Sequence, residues 1–203
     1  LFFTGCAHYT LNKQNQYFDA QFGYRFENLD PGPNNSDSLF VCLMLSGGGT
    51  RAAALSYGVM KALRDTVIQF GGREKRLLDE VDCISSVSGG SFAAAYYGLF
   101  RERLFEDFRT CFLERDVQGA LAAQLFNPMN WVRLASPYFG RIDMAAELYD
   151  SDIFGGATFE RLQSKGRPFV ILNATNLGAD RRFEFTQEYF DALGSRLDLY
   201  LVS

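Results

Sequence analysis

The sequence predicts an α/β fold, a three-layer α/β/α arrangement with a mostly parallel central sheet. Three observations predict it. Leu39 to Leu45 (LFVCLML) is an unbroken apolar run closed by Ser46-Gly47-Gly48-Gly49. Val81 to Val87 (VDCISSV) is a second short run, closed by Ser88-Gly89-Gly90. After each turn the apolar residues change to helical spacing. Continuous apolar strands are buried on both faces, as in parallel sheets, and strand, tight turn, helix repeated twice is a βαβα unit whose helices cover the sheet.

Composition bounds the rest. The 203 residues are 47% hydrophobic and 22% charged, with a formal net charge of −4. This is a folded globular chain long enough for one domain and its core. The acidic balance excludes a general nucleic-acid binder, which carries excess Lys and Arg against the phosphates. No stretch reaches the ~20 apolar residues of a membrane-spanning helix. The longest near-apolar run, Phe92 to Phe100, fits a buried helix face.

The chain opens Leu1-Phe2-Phe3-Thr4-Gly5-Cys6-Ala7, which resembles the end of a bacterial lipoprotein signal. On that reading Leu1 to Gly5 are removed, Cys6 is lipidated, and the protein is a membrane-anchored lipoprotein of the bacterial cell envelope. The alternative is a chance Gly-Cys and a cytoplasmic protein. Residues 7–38 are polar and end in Asp30-Pro31-Gly32-Pro33-Asn34-Asn35, a turn or linker. The expected organisation is therefore residues 1–38 as signal remnant and lead-in, and residues 39–203 as the folded domain.

Within that domain, Leu39 to Leu45 is the first strand. Leu55, Val59, Ala62, Leu63, Val67 and Phe70 predict one helix from Thr50, ended by Gly71-Gly72. Val81 to Val87 is the second strand, and Ser91 to about Leu104 the second helix. Residues 105–157 hold Asn127-Pro128, Ser136-Pro137 and Gly155-Gly156 among many aromatics, which predicts a cap of helices and loops. Phe159 to Ser164 is a short helix, Pro168 to Ala174 a third buried strand, and Arg182 to Thr186 a fourth, alternating one. Cys42 and Cys83 lie in apolar runs and read, with Cys111, as small buried hydrophobes instead of a disulfide framework. With no Cys-x-x-Cys and the single histidine His8, no zinc site and no other cofactor is expected.

The chemistry gathers at the two glycine turns. Ser86-Val87-Ser88-Gly89-Gly90 lies between strand and helix, where a nucleophile elbow of the form G-x-S-x-G holds its serine on a sharp, strained turn. Small residues are needed two before and two after that serine, and Ser86 and Gly90 supply them. The free N–H groups of the following helix favour negative charge developing beside Ser88 Oγ. Read otherwise, the segment is a Ser/Gly turn capping a helix. Ser46-Gly47-Gly48-Gly49-Thr50-Arg51 lies about 40 residues earlier, at the end of the neighbouring strand. Parallel neighbours end on one edge, so both turns are expected to face one crevice, with bare backbone amides available to an oxyanion. Gly47-x-Gly49-x-x-Ala52 also satisfies a dinucleotide fingerprint. That fingerprint expects an acidic residue at the end of the next strand, where this chain has Val87-Ser88 and places Asp82 at the start. A phosphate-binding P-loop fails for want of Gly-Lys-Ser/Thr.

Together these segments resemble the patatin-like phospholipase family over roughly Leu39 to Ser203. Gly47, Gly48, Gly49 and Arg51 match that family's Gly-Gly-Gly-x-Arg/Lys oxyanion loop, and Ser88 and Gly90 match its elbow, with Gly89 between them. Arg167 to Asn176 and Phe183-Glu184-Phe185 are similar to its later strands. Ala52 stands where the family has glycine, as does Ser86; both are small. The resemblance implies a lipid acyl hydrolase, a phospholipase A or carboxylic ester hydrolase, using a Ser-Asp dyad with Ser88 as nucleophile. Its substrate would be a phospholipid or other acyl lipid met at a membrane surface. The family's aspartate lies in an Asp-Gly motif, and no Asp-Gly occurs in these residues. The acid is therefore expected beyond Ser203, and the 203 residues alone are expected to be inactive. Asp180, Asp191 and Asp198 are not assigned to the role. A Ser-His-Asp order needs a histidine after the serine, and His8 precedes it. Arg51 reads as a structural salt bridge, or as a group near a phosphate. Two other readings are a degenerate patatin-like binding protein and a dinucleotide-binding domain.

Overall fold

A computed structural model describes residues 19, 21–36, 38–195 and 199 of the chain. The first apolar run becomes β1 (Val41–Leu45), and the glycine turn leads into α1 (Gly49–Asp65). A hairpin follows, β2 (Val67–Phe70) and β3 (Arg73–Arg76), and then β4 (Val81–Val87) and α2 (Gly89–Phe100). Five α-helices come next, α3 (Arg103–Glu106), α4 (Val117–Leu125), α5 (Pro128–Leu134), α6 (Arg141–Tyr149) and α7 (Phe159–Gln163), with π-helical turns at Arg109–Leu113 and Asp150–Phe154. The described residues end with β5 (Phe169–Asn176), β6 (Arg181–Glu184) and α8 (Gln187–Ala192). As the apolar and helical runs predict, no strand falls between α2 and β5 among the described residues.

The central sheet has the order β1-β4-β5-β6. β1, β4 and β5 are parallel, and β6 returns antiparallel to β5. Helices flank this mostly parallel sheet in the α/β/α manner. β1, β4 and β5 meet α2, and small residues let the helix come close. A Cβ on Gly98 would lie 2.8 Å from Val170 Cγ2, and one on Gly90 would lie 3.0 Å from Leu45 Cβ. Ile84 and Val170, both fully buried, sit at the centre of the resulting core with Ala93, Ala94 and Leu99.

Three readings of the sequence are corrected here. The first helix ends at Asp65, and Val67–Phe70 is a strand. Gly71 and Gly72 do not stop a helix: they form the two-residue turn of a hairpin, both with positive φ (60° and 75°), as that turn demands. The second helix ends at Phe100, because Arg101 takes φ 53° and breaks the helical path before α3. Finally, Cys42 and Cys83 are not separate buried hydrophobes. The parallel register sets them opposite one another, Cα 4.6 Å apart, and they are joined in a disulfide. Residues facing each other on adjacent strands lie at about this spacing. Closing a loop with a sequence separation of 41 contributes about 4 kcal/mol in the chain-entropy account. Cys111 is free and half-buried.

The polar lead-in is tied to the domain. Tyr24, 1% exposed, stacks near Phe159 and Phe169. Its hydroxyl accepts the Val170 N–H (2.7 Å) and donates to the Val170 carbonyl (3.1 Å), doing for this part of β5 what a neighbouring strand would. Burial pushes this phenol far above its usual pKa. Tyr24→Phe leaves two buried backbone groups unmatched. It is expected to lower stability by about 1–3 kcal/mol, read as a lower urea midpoint at unchanged slope.

Buried Asp82 supplies a second tie. It accepts from the Val41 N–H (2.8 Å), Asn35 Nδ2 (3.0 Å) and Arg167 Nη1 (3.0 Å), joining β1, the lead-in and the loop before β5.

Candidate active site

The turn from β4 into α2 holds Ser88 at φ 52°, ψ −124°. Few side chains tolerate this region, which costs on the order of 1–3 kcal/mol and persists only where the surroundings over-determine it. Here strand and helix both impose it. β4 is held on both sides by β1 and β5, and α2 is pressed onto the sheet through Gly90 and Gly98. Ser88 is the N-cap of α2 by position, yet its side chain makes no capping bond. Its hydroxyl is exposed, and among the described residues no carboxylate is hydrogen-bonded to it. The alternative of an ordinary helix-capping serine therefore loses its defining bond.

The glycine loop between β1 and α1 stands directly beside this turn. A Cβ on Gly47 would come 3.1 Å from Ser88 Cβ, and one on Gly89 would come 2.0 Å from the Gly49 carbonyl oxygen. Side chains at these positions would hold the two turns apart. Gly47, Gly48 and Gly49 are all exposed, so their backbone is open to a ligand in the same crevice as the Ser88 hydroxyl. Gly48 has φ 141° and Gly49 φ 66°, and α1 begins as soon as the loop has turned.

The substituted positions fit. Ser86 is 2% exposed, and its hydroxyl donates to the Ile171 carbonyl (3.2 Å) across the β4–β5 ladder. Ala52 is buried beneath the loop, its Cβ 3.3 Å from where a Gly48 Cβ would be. Arg51 is exposed and forms no ion pair among the described residues, so the structural salt bridge read from the sequence is absent there. Cys6 and His8 lie outside the described residues. Asp82, the acid of β4, is spent on β1, Asn35 and Arg167 and is not free for a dinucleotide ribose.

Two cavities border the turn. An open cleft of about 530 Å³ crosses the ends of β1, β4 and β5 and includes Ser46, Ser86, Val87, Asn173 and Asp180. Asn173, which the sequence did not single out, donates to Ser85 Oγ (3.1 Å) and to the Ser86 carbonyl (2.9 Å), bracing the strand just ahead of Ser88. Its apolar neighbours hid it, since nothing local marks an asparagine that reaches across a ladder. The second cavity, about 290 Å³ and mostly apolar, lies along α2 against α6, α7 and β5. Among the described residues no group of three His, Cys, Asp or Glu side chains is placed to hold a metal ion.

A strained serine on a strand-to-helix turn, beside an exposed glycine loop from the neighbouring parallel strand, is the arrangement that α/β-hydrolase-type folds share. Comparison narrows it. The family model described as patatin-like phospholipase matches residues 43–197, and the chain belongs to that family. Its members are, as a family, lipid acyl hydrolases. No curated protein and no solved structure matches the chain.

Proposed function

We propose that this protein hydrolyses acyl esters of lipids, phospholipids foremost, with Ser88 as nucleophile and the Gly47–Gly49 loop as oxyanion hole. The observation that carries this reading is the contact of the two turns, with Gly47 against Ser88 and Gly89 against Gly49. Ser88 Oγ attacks the ester carbonyl, and its proton passes to an aspartate. The oxyanion is held by backbone N–H groups of the glycine loop and by the N-terminal end of α2. The carbon–oxygen bond to the alcohol breaks, and the departing alcohol, a lysolipid for a phospholipid substrate, takes the proton. Water then hydrolyses the acyl-enzyme, releasing a fatty acid and restoring the serine. No Asp-Gly pair occurs in these residues and none of the described carboxylates bonds to Ser88, so none of the described carboxylates is given that role.

The membrane surface is the proposed place of reaction. Phe126, Trp131, Val132 and Ile142 are 60% exposed or more, on and between α4, α5 and α6. Ile142 lies one turn from Ala146, which lines the apolar cavity, so that exposed side chain leads toward it. None of the described helices is long and apolar enough to cross a membrane. Lipidation at Cys6 would supply the anchor. The Cys42–Cys83 disulfide supports an extracytoplasmic site, because disulfides persist in oxidising compartments. Peptide mapping of unreduced protein from its native cells is expected to recover these two cysteines linked. Finding both as free thiols would remove that support.

The deciding experiment incubates the intact protein with phosphatidylethanolamine vesicles and measures fatty acid by mass spectrometry. Fatty acid and lysolipid are expected in equal amounts. Absence of both, with simple esters also untouched, would leave the degenerate binding protein as the better reading.

A further inference from the structure

We propose that the apolar cavity along α2 receives the acyl chain of the substrate and seats about ten of its carbons, so that carbons beyond about the tenth add nothing to binding. The proposal rests on Ser88 being the nucleophile. Ser91, Ala95 and Leu99 line the cavity at positions i, i+4 and i+8 of one helix. That is a single stripe, about 12 Å long at 1.5 Å per residue.

The stripe has a direction. Ser91 is at its near end, one turn from Ser88, and its N–H donates to the Ser88 carbonyl (2.9 Å). Ser91 Oγ is buried without a hydrogen-bond partner, so the single hydroxyl contributed by this stripe sits at the end nearest the ester. Leu99 is at the far end, and there α2 meets α7, since a Cβ on Gly98 would lie 2.7 Å from Leu162 Cδ2. The ester thus belongs at the Ser91 end and the methyl terminus at the Leu99 end, against α7.

The length of the stripe sets the number of carbons it seats. An extended alkyl chain with C–C bonds of ~1.5 Å advances about 1.3 Å per carbon, so 12 Å holds about nine. The cavity volume is about 290 Å³. Ala95 and Ala146 face this space with a methyl each, so the middle of the cavity is wide only because both residues are small.

The test separates binding from chemistry. Calorimetric titration of the intact Ser88→Ala protein with butanoate, octanoate, decanoate and hexadecanoate is expected to show affinity rising about fourfold per methylene up to about ten carbons. It should then stay level. Ala95→Phe, one turn below Ser91, should bring the plateau down to about five carbons. If that variant does not fold, Ala146→Leu should lower the plateau in the same direction. Affinity that climbs through hexadecanoate, a plateau indifferent to both substitutions, or no binding at all would overturn the proposal. With the native protein, kcat/KM for nitrophenyl esters of the same lengths should follow the same curve. Ser88-dependent turnover that keeps rising through the hexadecanoyl ester would reject the cavity and keep the nucleophile. A binding plateau without turnover of any ester would do the reverse.

Discussion

Ser88→Ala is expected to lower turnover of a short-chain nitrophenyl ester by the intact protein about 10⁴-fold or more, and to abolish labelling by a fluorophosphonate probe. Removing a nucleophile that acts as a unit with its acid leaves only the contribution of binding and of the oxyanion donors. The proposed role also makes a prediction about stability. Ser88 is held at φ 52° in a conformation that glycine adopts far more readily than any residue with a Cβ. Ser88→Gly should therefore be as inactive as Ser88→Ala, yet more stable than the native protein by about 1 kcal/mol. A residue that is costly to keep and whose loss stabilises the fold is kept for chemistry. Undiminished labelling and turnover in Ser88→Ala would refute the assignment.

Gly89→Ala should have the next largest effect. Its added methyl would point at the Gly49 carbonyl oxygen, 2.0 Å from the ideal Cβ position, with Gly49 C at 2.7 Å and N at 2.9 Å. Those atoms are backbone and cannot rotate aside, so the glycine loop must move off the β4–α2 turn. Overpacking of this kind costs about 1–3 kcal/mol of stability. Displaced oxyanion donors should reduce turnover about 10²-fold or more. Gly58→Ala is the matched control. It lies in the middle of α1 with open space where its Cβ would go, and should stabilise the protein by about 0.5–1 kcal/mol. Equal activity in Gly89→Ala and the native protein would show that the contact of the two turns does not position the donors.

The same comparison shows why some elements were legible and others were not. β4 runs from Val81 to Val87 as read, because an apolar run between a charged segment and a Ser-Gly-Gly turn leaves little choice of boundary. The β2–β3 hairpin was missed because Val67 and Phe70 also continue the helical spacing of Val59 and Leu63. The cue that resolves the ambiguity was present: Thr66, Val67 and Ile68 are all β-branched and stand just before two adjacent glycines. The lead-in reads as a turn or linker because polar and turn residues dominate it, and the side chains that fix it, Tyr24 and Asn35, do so through distant partners. Tyr24 reaches a strand 146 residues away.

The sequence by itself determined the alternation of strand, turn and helix, and the bareness of the two glycine turns. Both are written in residues no more than a few positions apart, where side-chain period and backbone freedom act directly. Only the tertiary structure decided that Gly47 lies against Ser88, that Cys42 meets Cys83, and that an apolar cavity runs along α2 from the serine turn. These depend on the register of parallel strands joined by long crossovers. That register is set by the packing of whole helices onto the sheet, because no turn links the paired residues and no local pattern encodes their alignment.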